Sequence, residues 1–302
     1  MTSSAVRGGL VALVVSVLLS TSDATVKFLS GSYSAPQIFA ISCGFTVVVT
    51  LLLAARRNPG RGLGAALVTS CPWAMALRSL VTVMALLGYF FAFRDLPFAE
   101  VYLFIGMSAV FAALLSWPIL RDPVGPATVA ALLLGIAGIF WLFPTGLSAI
   151  SFGHVMALTG AVGSALSLVL SRYISRHERA TAAQVFYPNL ASFVVMAVAL
   201  PAVWLPMSLG DLALVLVYSG LFLVGRWLIV AALRSISAHA LSAILEIQFV
   251  WMVAIGALWF DEWPHRGVFI GAAMVIVSGF ILLLRERPAP AAAPRAARVL
   301  PG

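Results

Sequence analysis

The sequence predicts an all-α membrane protein of ten transmembrane helices, laid out as two inverted five-helix repeats. Three observations carry that expectation. Of its 302 residues 62% are hydrophobic and only 9% are charged, against about 25% charged in soluble domains, so the chain cannot cover its own surface in water. Apolar stretches of about 20 residues, the length of a bilayer-crossing helix, recur ten times. One long stretch also occurs twice: Arg94 to Asp122, RDLPFAEVYLFIGMSAVFAALLSWPILRD, returns 140 residues later as Arg234 to Glu262, RSISAHALSAILEIQFVWMVAIGALWFDE. Each copy starts on Arg, passes a short polar bend and ends on an acid 28 residues on. Repeats of whole hydrophobic segments signal a duplicated bundle with a site where the copies meet.

The first span is expected over Gly8–Phe28 behind Arg7. A signal peptide competes for this segment, because Ser22-Asp23-Ala24 is a weak small-x-small cleavage site; losing the span would leave nine and break the pairing of five with five. The second span is Ser34–Ala55, and a basic, glycine-rich connection with Arg56, Arg57 and Arg61 follows. Span three, Pro72–Phe93, begins on a proline, which a helix start tolerates because that N–H has no partner anyway. Spans four and five are Pro97–Leu120 and Pro126–Phe143, and Pro144-Thr145-Gly146 marks the midpoint. Span six, Phe152–Ile174, leads into the most charged loop, Arg176 to Arg179. Spans seven to ten are Gln184–Trp204, Asp211–Leu233, Ala238–Phe260 and Arg266–Leu284. The repeats are bounded at residues 1–145 and 146–287. The Ala-, Pro- and Arg-rich remainder, 288–302, has the composition of a disordered cytoplasmic tail.

Basic loops fix orientation in a bilayer. With the N-terminus cytoplasmic, thirteen basic residues fall inside, three (Lys27, Arg94, Arg266) fall outside, and Arg78 and Arg226 lie within spans. Both termini are therefore expected in the cytoplasm, and five spans per half make the repeats inverted.

Composition also excludes function classes. The net charge of +8 is spread over short loops and tails rather than one basic face, which argues against nucleic acid. Two cysteines, Cys43 and Cys71, are too few for a disulfide framework or a metal site. Walker A, HExxH and GxSxG motifs are missing, so ATP-driven and hydrolytic chemistry lack their parts. The reading is of a protein that is not an enzyme and needs no cofactor.

Ionisable groups inside a span cost roughly 2.5–3.5 kcal/mol each on insertion scales and so face partners or a wet cavity. Asp23 and Lys27 lie four apart on one face of span one, where they can pair with each other; Lys27 can also snorkel outward. Arg226 lies seven residues before the cytoplasmic end of span eight and Glu246 eight residues into span nine. Both are therefore some 10–12 Å from the cytoplasmic edge. They are either a salt bridge between helices or a site that alternates between internal pairing and cargo, and a desolvated acid there suits proton coupling. Arg78 matches a carboxylate through its guanidinium fork, with snorkelling as the alternative. Glu100, just inside span four, is placed to answer Lys27 or Arg94. Tyr89, Tyr102, Tyr187 and Trp251, with Gln248 and Asn189, are candidates for a cavity wall, against the interfacial belt that aromatic residues commonly form. The pairs Gly160/Gly163, Gly135/Gly138 and Gly267/Gly271 read as close helix packing.

Several of these segments carry a family resemblance. Ser22-Asp23-Ala24-Thr25-Val26-Lys27 closes span one and Phe93-Arg94-Asp95-Leu96-Pro97-Phe98-Ala99-Glu100 opens span four. Ala232-Leu233-Arg234-Ser235-Ile236-Ser237-Ala238 and Phe260-Asp261-Glu262-Trp263-Pro264 answer them in the second half. Together, from about Leu10 to Arg287, the chain resembles the EamA branch of the drug/metabolite transporter superfamily. It departs from the family in span four, where Met107-Ser108-Ala109 stands in place of a mid-span proline and Leu120-Arg121-Asp122 in place of Leu-Gly-Glu. The resemblance implies a ten-helix basket around a central cavity in the bacterial inner membrane. It also implies secondary transport of a small polar or zwitterionic metabolite, with protons as a possible coupling ion. Export of an amino-acid-like compound is the first expectation, and import of a metabolite such as S-adenosylmethionine or riboflavin the second. Membrane lipids surround it, and a monomer and a homodimer both fit.

Overall fold

The computed structural model describes residues 2–57, 67–121, 125–141, 150–178, 181–232 and 247–284. Among these residues the regular structure is all helical. The helices are α1 (Thr2–Ser30), α2 (Ala35–Arg57), α3 (Pro72–Asp95), α4 (Phe98–Gly106), α5 (Ser108–Leu120), α6 (Pro126–Phe140), α7 (Phe152–His177), α8 (Thr181–Val203), α9 (Leu209–Ala232), α10 (Gln248–Trp259) and α11 (Arg266–Leu284). Six helical stretches are long and apolar enough to cross a membrane, with α4 and α5 counted together as Phe98–Leu120; α6, α10 and α11 supply shorter apolar helices. The front of the expected ninth span, from Ala238 to Glu246, and the tail beyond Leu284 lie outside the described residues.

Span four is not continuous. It breaks at Met107, whose amide still reaches the Leu103 carbonyl at 3.1 Å while Phe111 N–H bonds back to Met107 O at 3.0 Å. The break needs no proline. Met107 has φ −60° and ψ −16°; Ile247, just before α10, has φ −59° and ψ −18°. The same stretches end alike. Arg121 and Asp261 hold left-handed conformations, φ 57° and φ 53°, a state that costs an L-residue roughly 1–2 kcal/mol. Backbone bonds offset that cost: Arg121 N–H donates to Ser116 O, and the amides of Phe260 and Glu262 donate to Gly256 O at 3.2 and 2.9 Å.

The α3–α7 and α6–α11 crossings are built on glycine, as close packing in a membrane requires. A methyl on Gly88 would lie 2.7 Å from both Gly160 N and Met156 O, so α3 and α7 touch backbone to backbone there. Gly138 and Gly271 do the same for α6 and α11. In α8, Pro188 sits inside the helix and cannot donate to the carbonyl four residues back. That carbonyl, Gln184 O, is taken by the guanidinium of Arg78 from α3.

Candidate functional site

A cavity of about 200 Å³ lies between helices of both halves. Helix α3 lines its whole length, because Arg78, Thr82, Ala85, Tyr89 and Phe93 recur at spacings of three and four and so share one face. Asp23 and Val26 of α1 stand opposite, Ser164 and Ser167 come from α7, and Tyr218 and Phe222 from α9. Gly106 and Ser108 flank the Met107 break at the wall, and Gln248, the first residue of α10, joins them.

The polar groups fall into two sets. At one, Gln248 Nε2 donates to Asp23 Oδ2 at 2.7 Å, tying α1 to α10. At the other, Arg78 is 3% exposed; its Nε donates to Ser167 O at 3.3 Å, besides the bond to Gln184 O. Between them runs a hydroxyl strip. Thr82 Oγ1 donates to Arg78 O at 2.7 Å, and its one proton being used, Ser167 donates to it at 2.8 Å. By the same reasoning Ser164, which donates to Ala161 O, receives the Tyr89 hydroxyl at 3.1 Å. Aromatic rings close the remaining sides, Phe39 against Phe90 edge-on at 5.7 Å and Tyr102 against Phe249 at 5.0 Å.

Lys27 takes a partner other than the one its spacing suggested. It pairs with Glu262 Oε1 at 2.9 Å rather than with Asp23. It also donates to Leu96 O at 2.9 Å and Phe93 O at 3.2 Å, and stands 5.4 Å from the centre of the Phe260 ring. The second oxygen of Glu262 accepts Phe98 N–H at 2.7 Å. One ion pair thus satisfies carbonyls at the end of α3 and an amide at the start of α4, groups that helix ends leave open. Glu100 faces His154 of α7, with Nε2 to Oε2 at 3.7 Å. Ser151 N–H donates to His154 Nδ1, which places the ring proton on Nε2, toward Glu100.

The remaining expectations divide. Tyr102, Tyr89 and Gln248 line the cavity. Trp251 is turned to α1, donating from Nε1 to Ser16 Oγ at 3.1 Å. Asn189 bonds Val185 O within its own helix, and Tyr187 packs on Phe186. Arg226 belongs to α9, and its side chain lies outside the described residues. Glu246 lies outside them as well. Sequence reasoning passed over His154 and the role of Glu262, although Glu262 closes the repeated stretch. Among the described residues no group of three or more His, Cys, Asp or Glu could hold a metal ion.

Residues 6–143 match the EamA-like transporter family. Over 280 residues the chain is 28% identical to the pseudopaline exporter CntI of Pseudomonas aeruginosa UCBPP-PA14, covering 90% of this chain and 94% of that one. CntI of strain PAO1 gives the same figures. The family match covers the first half of the chain, and over nearly its whole length the chain is similar to these exporters. The apolar helices and these similarities support a multi-pass membrane protein of transporter kind, here called the permease. A crystal structure of a protein 20% identical in sequence superposes on it with a TM-score of 0.64, covering 94% of the permease and 98% of that chain. At that identity the likeness speaks for the fold alone.

Proposed function

We propose that the permease is a secondary transporter of the bacterial inner membrane that exports a small zwitterionic, amino-acid-like metabolite by alternating access. The observation that carries this reading is the cavity shared by both halves, with a carboxylate at Asp23 and a guanidinium at Arg78 along an otherwise aromatic and hydroxyl-lined wall. Asp23 holds the ammonium of the cargo and Arg78 its carboxylate, each exchanging part of an existing hydrogen-bond set for the ligand. The acid Glu246 carries the coupling proton, and Arg226 is a second cation available to the cargo. The exporter name of the relatives supports the outward direction.

Ten spans in two inverted repeats support the same reading. Helix α1 packs on α9 as α7 packs on α3, α9 on α2 as α3 on α8, and α10 on α1 as α5 on α7. These are the pairings that a two-fold axis relating the halves would generate. With five spans in each half and the basic residues on one side, both termini face the cytoplasm.

Metabolite profiling of cells and medium, with the permease deleted and overproduced, tests the function. An amino-acid-like compound should rise inside the deletion strain and in the medium on overproduction. Glu246→Gln and Asp23→Asn should insert normally and abolish that export. Unchanged profiles in the deletion strain, or normal export by both variants, would remove the reading.

A further inference from the structure

The two charges of the cavity stand far apart. Helices α1 and α3 meet at their C-terminal ends, where Lys27 Nζ donates to Phe93 O at 3.2 Å. Asp23 lies one turn before Lys27 and Tyr89 one turn before Phe93, so Asp23 stands about level with Tyr89. Its charge acts on Tyr89 as well. From Tyr89 back to Arg78 there are eleven residues, about 16 Å of helix at 1.5 Å per residue. The guanidinium does not close that gap, because Ser167 O and Gln184 O hold it at its own end of α3.

Between the charges the wall has two characters. On the α3–α7 side every hydroxyl proton is already given: Thr82 donates to Arg78 O, Ser167 to Thr82, Ser164 to Ala161 O and Tyr89 to Ser164. What those oxygens have left are lone pairs, so this strip accepts hydrogen bonds and donates none. Elsewhere the wall is largely aromatic, with Phe39, Tyr218 and Phe222. The space enclosed, about 200 Å³, is smaller than the roughly 300–1,000 Å³ of pockets for drug-sized ligands. It has room for one slim chain.

An α-amino acid carries its ammonium and carboxylate on one carbon, about 2.5 Å apart given bonds of about 1.5 Å. Held by Asp23, it falls several Å short of Arg78, since each charge-assisted bond reaches only about 3 Å. We infer that the cargo spanning Asp23 and Arg78 is a linear molecule with an ammonium at one end, a carboxylate about 10 Å away at the other, and N–H donors between them. A chain of three amino-acid units, about 10 Å when extended, has those properties. This cargo class presupposes the reading of Asp23 and Arg78 as the two anchors of one molecule, and narrows it. The ends select length, the acceptor strip reads the N–H groups of the middle, and the aromatic wall covers its carbon atoms.

Titration calorimetry on the purified full-length permease in detergent tests this before any transport is measured. The probes are glycine, diglycine and triglycine, with 8-aminooctanoate, whose charges lie about as far apart as those of triglycine but with no N–H between them. Triglycine should bind at least tenfold more tightly than glycine, the scale of one charge-assisted bond gained, with diglycine between. The octanoate should bind more weakly than triglycine and more tightly than glycine. Asp23→Asn should weaken triglycine binding about tenfold or more and leave N-acetyl-triglycine, which lacks the ammonium, equally weak on both proteins. Affinity that is flat or falls from glycine to triglycine overturns the inference, as does no binding by any probe. Triglycine binding that Asp23→Asn leaves unchanged overturns it too; should that variant insert poorly, the length series on the unaltered protein still decides. An octanoate as tight as triglycine removes the N–H donors. An α-amino acid found as the exported compound would keep the export reading and remove this one, whereas triglycine binding beside unchanged metabolite profiles would do the reverse.

Discussion

Met107 and Ile247, 140 residues apart, share one backbone conformation, φ −60° and ψ −16° against φ −59° and ψ −18°. Each is followed by a helix, starting at Ser108 and Gln248, and both of those residues face the cavity. Irregular backbone at membrane depth persists where protein or a cavity covers it. The break at Met107 sits beside the cavity, between the lining residues Gly106 and Ser108.

The bond between Gln248 and Asp23 should be needed for transport and not for assembly. Gln248→Leu should insert and purify normally, lose tenfold or more of its export, and lower the melting temperature only slightly. One hydrogen bond to a charged group contributes about 1.5–3 kcal/mol, part of which the cavity water replaces. Export rate and thermal melting in detergent, measured on the same preparations, separate the two effects.

Arg78 has a structural duty that can be removed on its own. Pro188 leaves Gln184 O without its helical donor, and Arg78 supplies one. Arg78→Met should therefore destabilise the protein by about 2–3 kcal/mol, as an orphaned buried acceptor and lost charged bonds demand. Adding Pro188→Ala restores an N–H four residues after Gln184 and should recover about 1 kcal/mol, a coupling readable in a double-mutant cycle. Export should stay absent in the double variant; its return would make Arg78 a brace for α8 and nothing more.

Two glycines give opposite outcomes for one substitution. Gly88→Ala drives a methyl to 2.7 Å from the backbone of α7 and should cost about 1–3 kcal/mol. Gly220→Ala meets nothing within 4 Å and should be neutral or stabilising by up to about 1 kcal/mol from helix propensity. Melting temperatures of the two variants check this.

Glu178 makes the tie near α3 sensitive to acid. Burial opposes its charge, but hydrogen bonds from Thr69 and Ser70 and the neighbouring His177 outweigh that and hold the carboxyl below its ordinary 4.5. A depressed folded-state pKa adds stability that is complete above the unfolded value and is lost as pH falls through the folded one. The tie of Glu178 to Thr69 and Ser70 should hold at neutral pH and weaken progressively as the pH falls below the ordinary 4.5 toward the lower folded value. Glu178→Gln should lower the melting temperature at pH 7 and flatten the acid side of the stability profile; an unchanged profile would contradict the assignment.

The helical stretches and the repeated segment were legible in the sequence because length, apolar run and spacing are local properties. Tyr102 and Gln248 read in the sequence as candidates for a cavity wall, and both line the cavity; Asp23, read as a partner of Lys27, and Arg78, read as a cation for a carboxylate, line it too. The partner of Lys27 was not legible. Spacing within α1 pointed to Asp23, four residues away, while the chain delivers Glu262 from the opposite end of the sequence. Glu100 likewise finds His154 on α7 rather than Lys27 or Arg94. The Met107 break was hidden because no proline announces it, and the anchoring of Arg78 depends on a proline in a different helix. Trp251 sits at a cavity-compatible register in sequence, but its indole N–H is drawn to Ser16. The proposed meeting of Arg226 and Glu246 falls on atoms outside the described residues, and its test is functional.

The contact of Gly88 with Gly160 limits how α3 and α7, two of the cavity walls, can shift. Neither has a side chain that could yield, so sliding α3 along α7 would force main chain into main chain. Tilting about the touch point meets no such obstacle. Arg78 and Phe93 lie on opposite sides of it along α3, so a tilt at Gly88 would narrow one end of the cavity in the same stroke that widened the other.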